Sequence, residues 1–112
     1  MKVPVEEWIK TSKWQEFSGF IYGMSYNKEL KHLFVAFRHH NRPDIINSLY
    51  RYCDVSVEAA SRLYCAEDKG RIFHDLIKKN YCYSLIAKYE SDAGELLDKV
   101  LRDSIFWCKK EK

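Results

Sequence analysis

The side chains with the widest chemical reach are four histidines (His32, His39, His40, His74), four cysteines (Cys53, Cys65, Cys82, Cys108) and several arginines set among aromatics. Structural zinc needs four converging ligands, announced by closely spaced cysteine or histidine pairs. No C-x-x-C pair occurs. The one histidine cluster, His39-His40 with His32, lies in or beside extended chain, where neighbouring side chains point to opposite faces. No metal and no cofactor is expected. Catalysis lacks a foothold as well: there is no glycine-rich phosphate loop, nucleophile elbow or paired-carboxylate motif. His74 and Asp75, adjacent on a helix, are not expected to face each other. A Cys/His dyad can be drawn only by choosing partners freely. The expectation is a non-enzyme whose cysteines are small buried apolar groups.

Nucleic-acid binding has more to work with. A sheet backed by helices on one face can offer its other face to single-stranded bases, with aromatics stacking and arginines holding phosphate. Strand parity selects the residues. Leu33, Val35 and Phe37 form the stronger apolar face of one strand, so His32, Phe34, Ala36 and Arg38 point the other way. Arg51 joins that second face, because Tyr50 and Tyr52 on either side of it turn toward the helices. The candidate site is therefore Phe34, Arg38 and Arg51, extended by His39, His40 and Arg42 in the following loop. Phe34 is its one aromatic on the two clearest strands, which is thin for a platform that stacks two or three bases. A second basic cluster, Lys69, Arg71, Lys78 and Lys79, reads as a solvated helix face.

These residues need a frame, and the pattern supplies one. Residues 3–17 contain a helix, with Pro4 in its first turn and Glu6 and Glu7 at the positive end of the dipole. Trp8 and Trp14 read as lids on a core. Strands are predicted at 20–26 and 33–37, joined by the polar turn Asn27-Lys28-Glu29 as an antiparallel hairpin. A third strand covers 49–53. Asp54 or Ser56 caps a helix whose buried face is Val57, Ala60, Ser61, Tyr64 and Cys65. Asp68 caps a second helix, with Phe73, Leu76 and Ile77 inward, closing on Tyr81-Cys82-Tyr83.

That order of strand, strand, Tyr50-x-Tyr52 strand, helix, Gly70 turn and Phe73-containing helix resembles the KTSC domain over residues 20–86. The family is named for an extension at the C-terminus of some lysyl-tRNA synthetases, and it also occurs alone in small bacterial and phage proteins. The resemblance implies a compact module and suggests RNA binding. Two departures stand out. The loop 39–47 looks inserted, and Asp68 stands where the family tends to have serine, which keeps the cap but removes a hydroxyl.

From Ser91 the pattern changes. Asp92 and Glu95 have capping-box spacing, and Ala93, Leu96, Leu97, Val100, Leu101, Ser104, Ile105 and Cys108 trace one apolar stripe. Such a helix must bury its stripe: on the sheet over Phe34 and Ala36, on a second copy to give a homodimer, or on a protein partner. A covered sheet favours a protein-interaction or inhibitor module; an open one favours RNA.

The expected architecture is α+β: a three-stranded antiparallel sheet packed by two helices, with added N- and C-terminal helices. The 112 residues form a single domain, divided into a helical extension (1–19), the KTSC-like core (20–86) and the C-terminal amphipathic helix (87–112). With 46% hydrophobic and 15% aromatic residues, such a core stands without staples. A charged N-terminus and no long apolar run predict a cytoplasmic protein with no membrane partner. Residues 21–87 hold ten basic against seven acidic side chains and all four histidines, so the net charge of +3 resides in the core segment. RNA is thus the first candidate partner and a protein the alternative.

Overall fold

The computed structural model describes residues 3–11, 13–42 and 46–90, with side chains as far as Ile86. Helix α1 (Val5–Thr11) leads into a five-stranded antiparallel meander interrupted once by helices. The strands are β1 (Gln15–Glu16), β2 (Ile21–Asn27), β3 (His32–Arg38), β4 (Ile46–Tyr52) and β5 (Tyr83–Glu90), in that spatial order. Helix α2 (Val57–Cys65), helix α3 (Lys69–Ile72) and a π-helical turn (Phe73–Lys78) occupy the connection from β4 to β5. The α+β class is as the pattern predicts, but among the described residues the sheet has five strands rather than three.

Both additional strands are edges. β1 is two residues long, and its pairing of Gln15 with Met24 and Glu16 with Gly23 depends on β2 already being in place. β5 falls partly on residues expected to begin the C-terminal helix. Tyr83, Leu85 and Ala87 alternate as a strand should, yet Leu85-Ile86-Ala87-Lys88 is equally good helix sequence. Pairing decides: Tyr83 lies opposite Tyr52, Ser84 opposite Arg51 and Leu85 opposite Tyr50. The helix predicted from Ser91 onward lies outside the described residues.

Strand alternation divides the core in two. On the helix side Met24, Tyr26, Leu33, Val35, Phe37 and Tyr52 pack with Trp8, Val55, Ala60, Leu63, Tyr64, Phe73 and Ile77. Trp8 is fully buried, stacks on Tyr64 at 4.4 Å between centroids and donates its indole N–H to the Met24 carbonyl at 3.2 Å. The Tyr26 hydroxyl donates to the Val55 carbonyl at 2.6 Å, fixing the start of α2 to β2. On the other side Phe34, Ala36, Ile46 and Leu49 form a second cluster with Trp14, Tyr22 and Ile86. The parity inferred for β3 and β4 holds.

Local signals end the elements where they should. The Ser56 hydroxyl accepts the Ala59 N–H to cap α2, and the Asp68 carboxylate accepts the Arg71 N–H to cap α3. The Asn27 side chain accepts the amides of Glu29 and Leu30, which tightens the β2–β3 turn. The cysteines depart from expectation: Cys65 and Cys82 are exposed and Cys53 is half-buried, while Cys108 lies outside the described residues. Cys65 ends α2 and Cys82 precedes β5, positions at the margin of the core.

Gly23 has a packing role. A Cβ there would lie 2.2 Å from Cζ2 of Trp14, whose indole occupies the space a side chain at Gly23 would need. Gly23→Ala is expected to destabilise the fold by about 1–3 kcal/mol, the usual cost of overpacking. Thermal unfolding followed by circular dichroism measures this, and an unchanged Tm would show that Trp14 moves aside without cost.

Candidate functional site

The sequence-predicted residues do not converge on an open platform. Phe34 is 0% exposed and Arg51 is 5% exposed, so neither is presented to a base or a phosphate. Their side of the sheet is correct, but that side is covered. Arg38 is half-buried: its guanidinium donates to the carbonyls of Gly19 and Phe17 and lies 4.6 Å above the Tyr22 ring. It ties the β1–β2 connection to β3. His39 is half-buried, and its Nδ1 accepts the amides of Asn41 and Arg42 at 3.1 Å, closing the loop on itself. His40 and Arg42 are exposed at that loop and are the two of the six free to meet a ligand there.

The other face of the sheet is not wholly covered. Between β4, β5 and the π-helical turn lies a cleft of about 440 Å³, within the range of small-ligand sites. Phe37, Tyr50, Tyr52 and Tyr83 come from the strands, Phe73, His74 and Lys78 from the helical wall, and Phe20 from the segment before β2. Phe20, Phe37, Tyr50 and Tyr83 run in a row, with successive centroids 5.1, 5.9 and 5.5 Å apart. The row is open at both ends, where Phe20 is 66% and Tyr83 58% exposed. Tyr52 and Phe73 brace it from below, edge to face at 5.4 Å.

The helical wall is shaped by its irregularity. A π-helical turn is uncommon and is found often at functional sites. Here it buries Phe73 and Ile77 while His74 and Lys78 line the cleft. Its end is tied down by the Asn80 side-chain amide, which donates to the Leu76 carbonyl at 2.8 Å. His74 Nδ1 lies 3.2 Å from Asp75 Oδ1, a contact not expected for neighbours on a regular helix. Both side chains are more than half exposed and curl toward each other outside the helix.

The charge of this cleft distinguishes it. Lys78 and His74 line it, and among the described residues no carboxylate does. Four other concavities among the described residues each carry at least one acid: Glu67 and Asp68, Glu16, Glu6, or Asp75. Aromatic rings with a cation and no anion suit a planar, anionic ligand. Among the described residues no three histidine, cysteine or acidic side chains gather as a metal site, and no helix is long and apolar enough to cross a membrane.

The sequence profile of the KTSC domain matches residues 17–81, more than half of the chain. The chain belongs to the KTSC domain family. A crystal structure of a KTSC domain protein from Yersinia pestis is similar, with a TM-score of 0.57 at 25% identity, over 67% of this chain and 97% of that one. A comparison with curated proteins returned no match. The match takes in both halves of the cleft, from Phe20 through the Tyr50-x-Tyr52 strand of the KTSC core to Phe73 and Lys78, and stops short of Tyr83. Reading the sequence assigned the motif tyrosines to the core. That is right for Tyr52, whereas Tyr50 is half-buried and belongs to the cleft. The missed residue is Tyr83: the sequence pattern predicts its partner strand at 49–53 but not β5, the strand Tyr83 itself opens.

Burial, with Tyr50 and Tyr83 beside it, pushes the Tyr52 phenol up to about 12. The folded protein thus keeps a proton that an unfolded tyrosine releases near pH 10. The contribution to stability is whole below pH ~10 and is lost as pH rises toward 12. Urea unfolding across that window is expected to show a steeper loss for the native chain than for Tyr52→Phe. Equal slopes would mean that Tyr52 ionises as freely folded as unfolded.

Proposed function

We propose that this KTSC domain is a non-enzymatic, cytoplasmic binding module for single-stranded RNA, and that it binds through the aromatic cleft rather than the opposite sheet face. The observation that carries the reading is the composition of the cleft among the described residues: six aromatic rings, Lys78, His74 and no carboxylate. An unpaired base supplies a flat π-surface for Tyr83 or Phe20, and the adjoining phosphate supplies the charge that Lys78 complements. Lys79 and Arg71, exposed on the same helical segment, continue the basic rim. This basic cluster replaces Arg38 and Arg51, whose guanidinium groups are committed within the fold or buried.

A protein partner is the second reading. It is favoured by the exposed apolar surface of Phe20, Tyr83 and Leu85 and by the covered sheet face. The two readings separate in one experiment. Labelled single-stranded RNA, tRNA and DNA are titrated at two salt concentrations with the native protein, Tyr83→Ala, Lys78→Glu and, as a loop control, Arg42→Glu. Losing one stacked base is expected to weaken binding by roughly tenfold in Tyr83→Ala. Lys78→Glu should weaken binding and flatten the salt dependence, because a phosphate contact releases counterion. Arg42→Glu should leave both unchanged. No binding at low salt would overturn the RNA reading. A nuclease-insensitive protein partner lost on Tyr83→Ala would put the second reading in its place.

A further inference from the structure

We propose that Cys53 and Cys82 form a disulfide on exposure to a small-molecule disulfide, closing the helical layer onto the sheet. The inference is independent of what occupies the cleft. Continuing the pairing of Tyr52 with Tyr83 sets Cys53 directly opposite Cys82, one step beyond the end of β4. The Cys53 N–H donates to the Cys82 carbonyl at 2.9 Å, so the two backbones are still in register there. Directly opposed residues of an antiparallel pair share a face. A hydrogen-bonded pair has Cα atoms about 5.5 Å apart. That spacing falls near the middle of the range a disulfide spans, about 4.4–6.8 Å. No other described cysteine has such a partner, since Cys65 ends α2 elsewhere in the chain.

Accessibility favours a defined order of steps. Cys82 is exposed and Cys53 half-buried, so the first exchange falls on Cys82. With glutathione disulfide as oxidant, the Cys82 thiolate attacks one of its sulfurs, forms a mixed disulfide and displaces one glutathione thiolate. The Cys53 thiolate then attacks the Cys82 sulfur and displaces the second. Two protein thiols lose two electrons and two protons; one glutathione disulfide becomes two glutathione thiols. The bond encloses α2, α3 and the π-helical turn between its ends. It also anchors Tyr52 and Tyr83, each adjacent in sequence to a bridged cysteine and 5.6 Å apart between ring centroids.

Trypsin resolves the four cysteines onto separate peptides, 52–62, 63–69, 80–88 and 103–109. The reduced full chain is incubated with glutathione disulfide, alkylated and mapped without reduction, beside Cys53→Ser, Cys82→Ser and Cys65→Ser. The expected product joins 52–62 to 80–88 and persists in Cys65→Ser. Closing a loop of this length should raise Tm by roughly 10 °C over the reduced protein. That rise should disappear in Cys53→Ser and in Cys82→Ser. Glutathione adducts on separate peptides with no bridge, or bridges that run instead to Cys65 or Cys108, would overturn the proposal.

Discussion

Strand β3 is buried on both faces, and everything else in the molecule follows from that. Leu33, Phe34, Val35 and Ala36 are consecutive and each is fully buried, although alternate residues point to opposite sides of the sheet. A strand in that position needs two covers. On one side they are α1, α2 and the π-helical turn, organised around Trp8 between Tyr26 and Tyr64. On the other, the described contacts come from Trp14, Tyr22 and Ile86, and polar groups at Ser25, His32 and Arg51 are enclosed with them. An open sheet face of the kind single-stranded nucleic acid uses elsewhere is therefore absent from the centre of this sheet. The aromatic surface that stays uncovered lies instead where the helical cover stops.

The cover stops because the helical layer between β4 and β5 ends irregularly. Helix α3 has four residues and passes directly into the π-helical turn, which carries Phe73 and Ile77 into the core and leaves His74 and Lys78 beside the strands. Beyond it, Tyr50, Tyr83 and Leu85 belong to the helix-facing side of the sheet but have nothing comparable above them. The aromatic row and its basic rim are thus by-products of one layer being narrower than the other. The same boundary sets the chemistry of Tyr52. It lies just inside the covered region, and burial beside two other phenols raises its pKa, whereas Tyr83 across the ladder is open to solvent.

The other end of the same ladder is where two of the cysteines lie. Cys53 follows the last residue of β4 and Cys82 precedes the first of β5, so both stand at the margin of the sheet, away from Tyr50 and Leu85. Asp54, next in sequence, takes a positive φ of 58°, which turns the chain sharply out of the sheet and toward α2. Lys31, with a φ of 56°, makes a comparable turn into β3, and its carbonyl accepts the Val55 N–H at 2.9 Å. Two non-glycine residues in the left-handed region are thereby held by the same junction, where the hairpin and the helical layer meet. Such backbone positions persist only where surrounding contacts over-determine them.

The sequence alone determined the elements with strong local signatures. Alternation in Leu33-Phe34-Val35-Ala36-Phe37 was enough to assign each side chain of β3 to its face; the Asp68 cap was legible from residue type and position, and the α2 cap was narrowed to Asp54 or Ser56, of which the structure uses Ser56. The order of the Tyr50-x-Tyr52 strand, Gly70 and Phe73 was enough to point to the KTSC family. What the tertiary structure decided was exposure. Parity says which side of a sheet Phe34 and Arg51 occupy; only the packing of remote segments says that this side is closed. Likewise Tyr83 and Leu85 carry a strand-like alternation over too few residues to outweigh helical propensity. Their pairing with Tyr52 and Tyr50, more than thirty residues away, is what makes them strand and completes the cleft. Local chemistry acts over a few residues and so can be read in order along the chain. Burial and edge pairing are sums over distant contacts, which no short stretch of sequence contains.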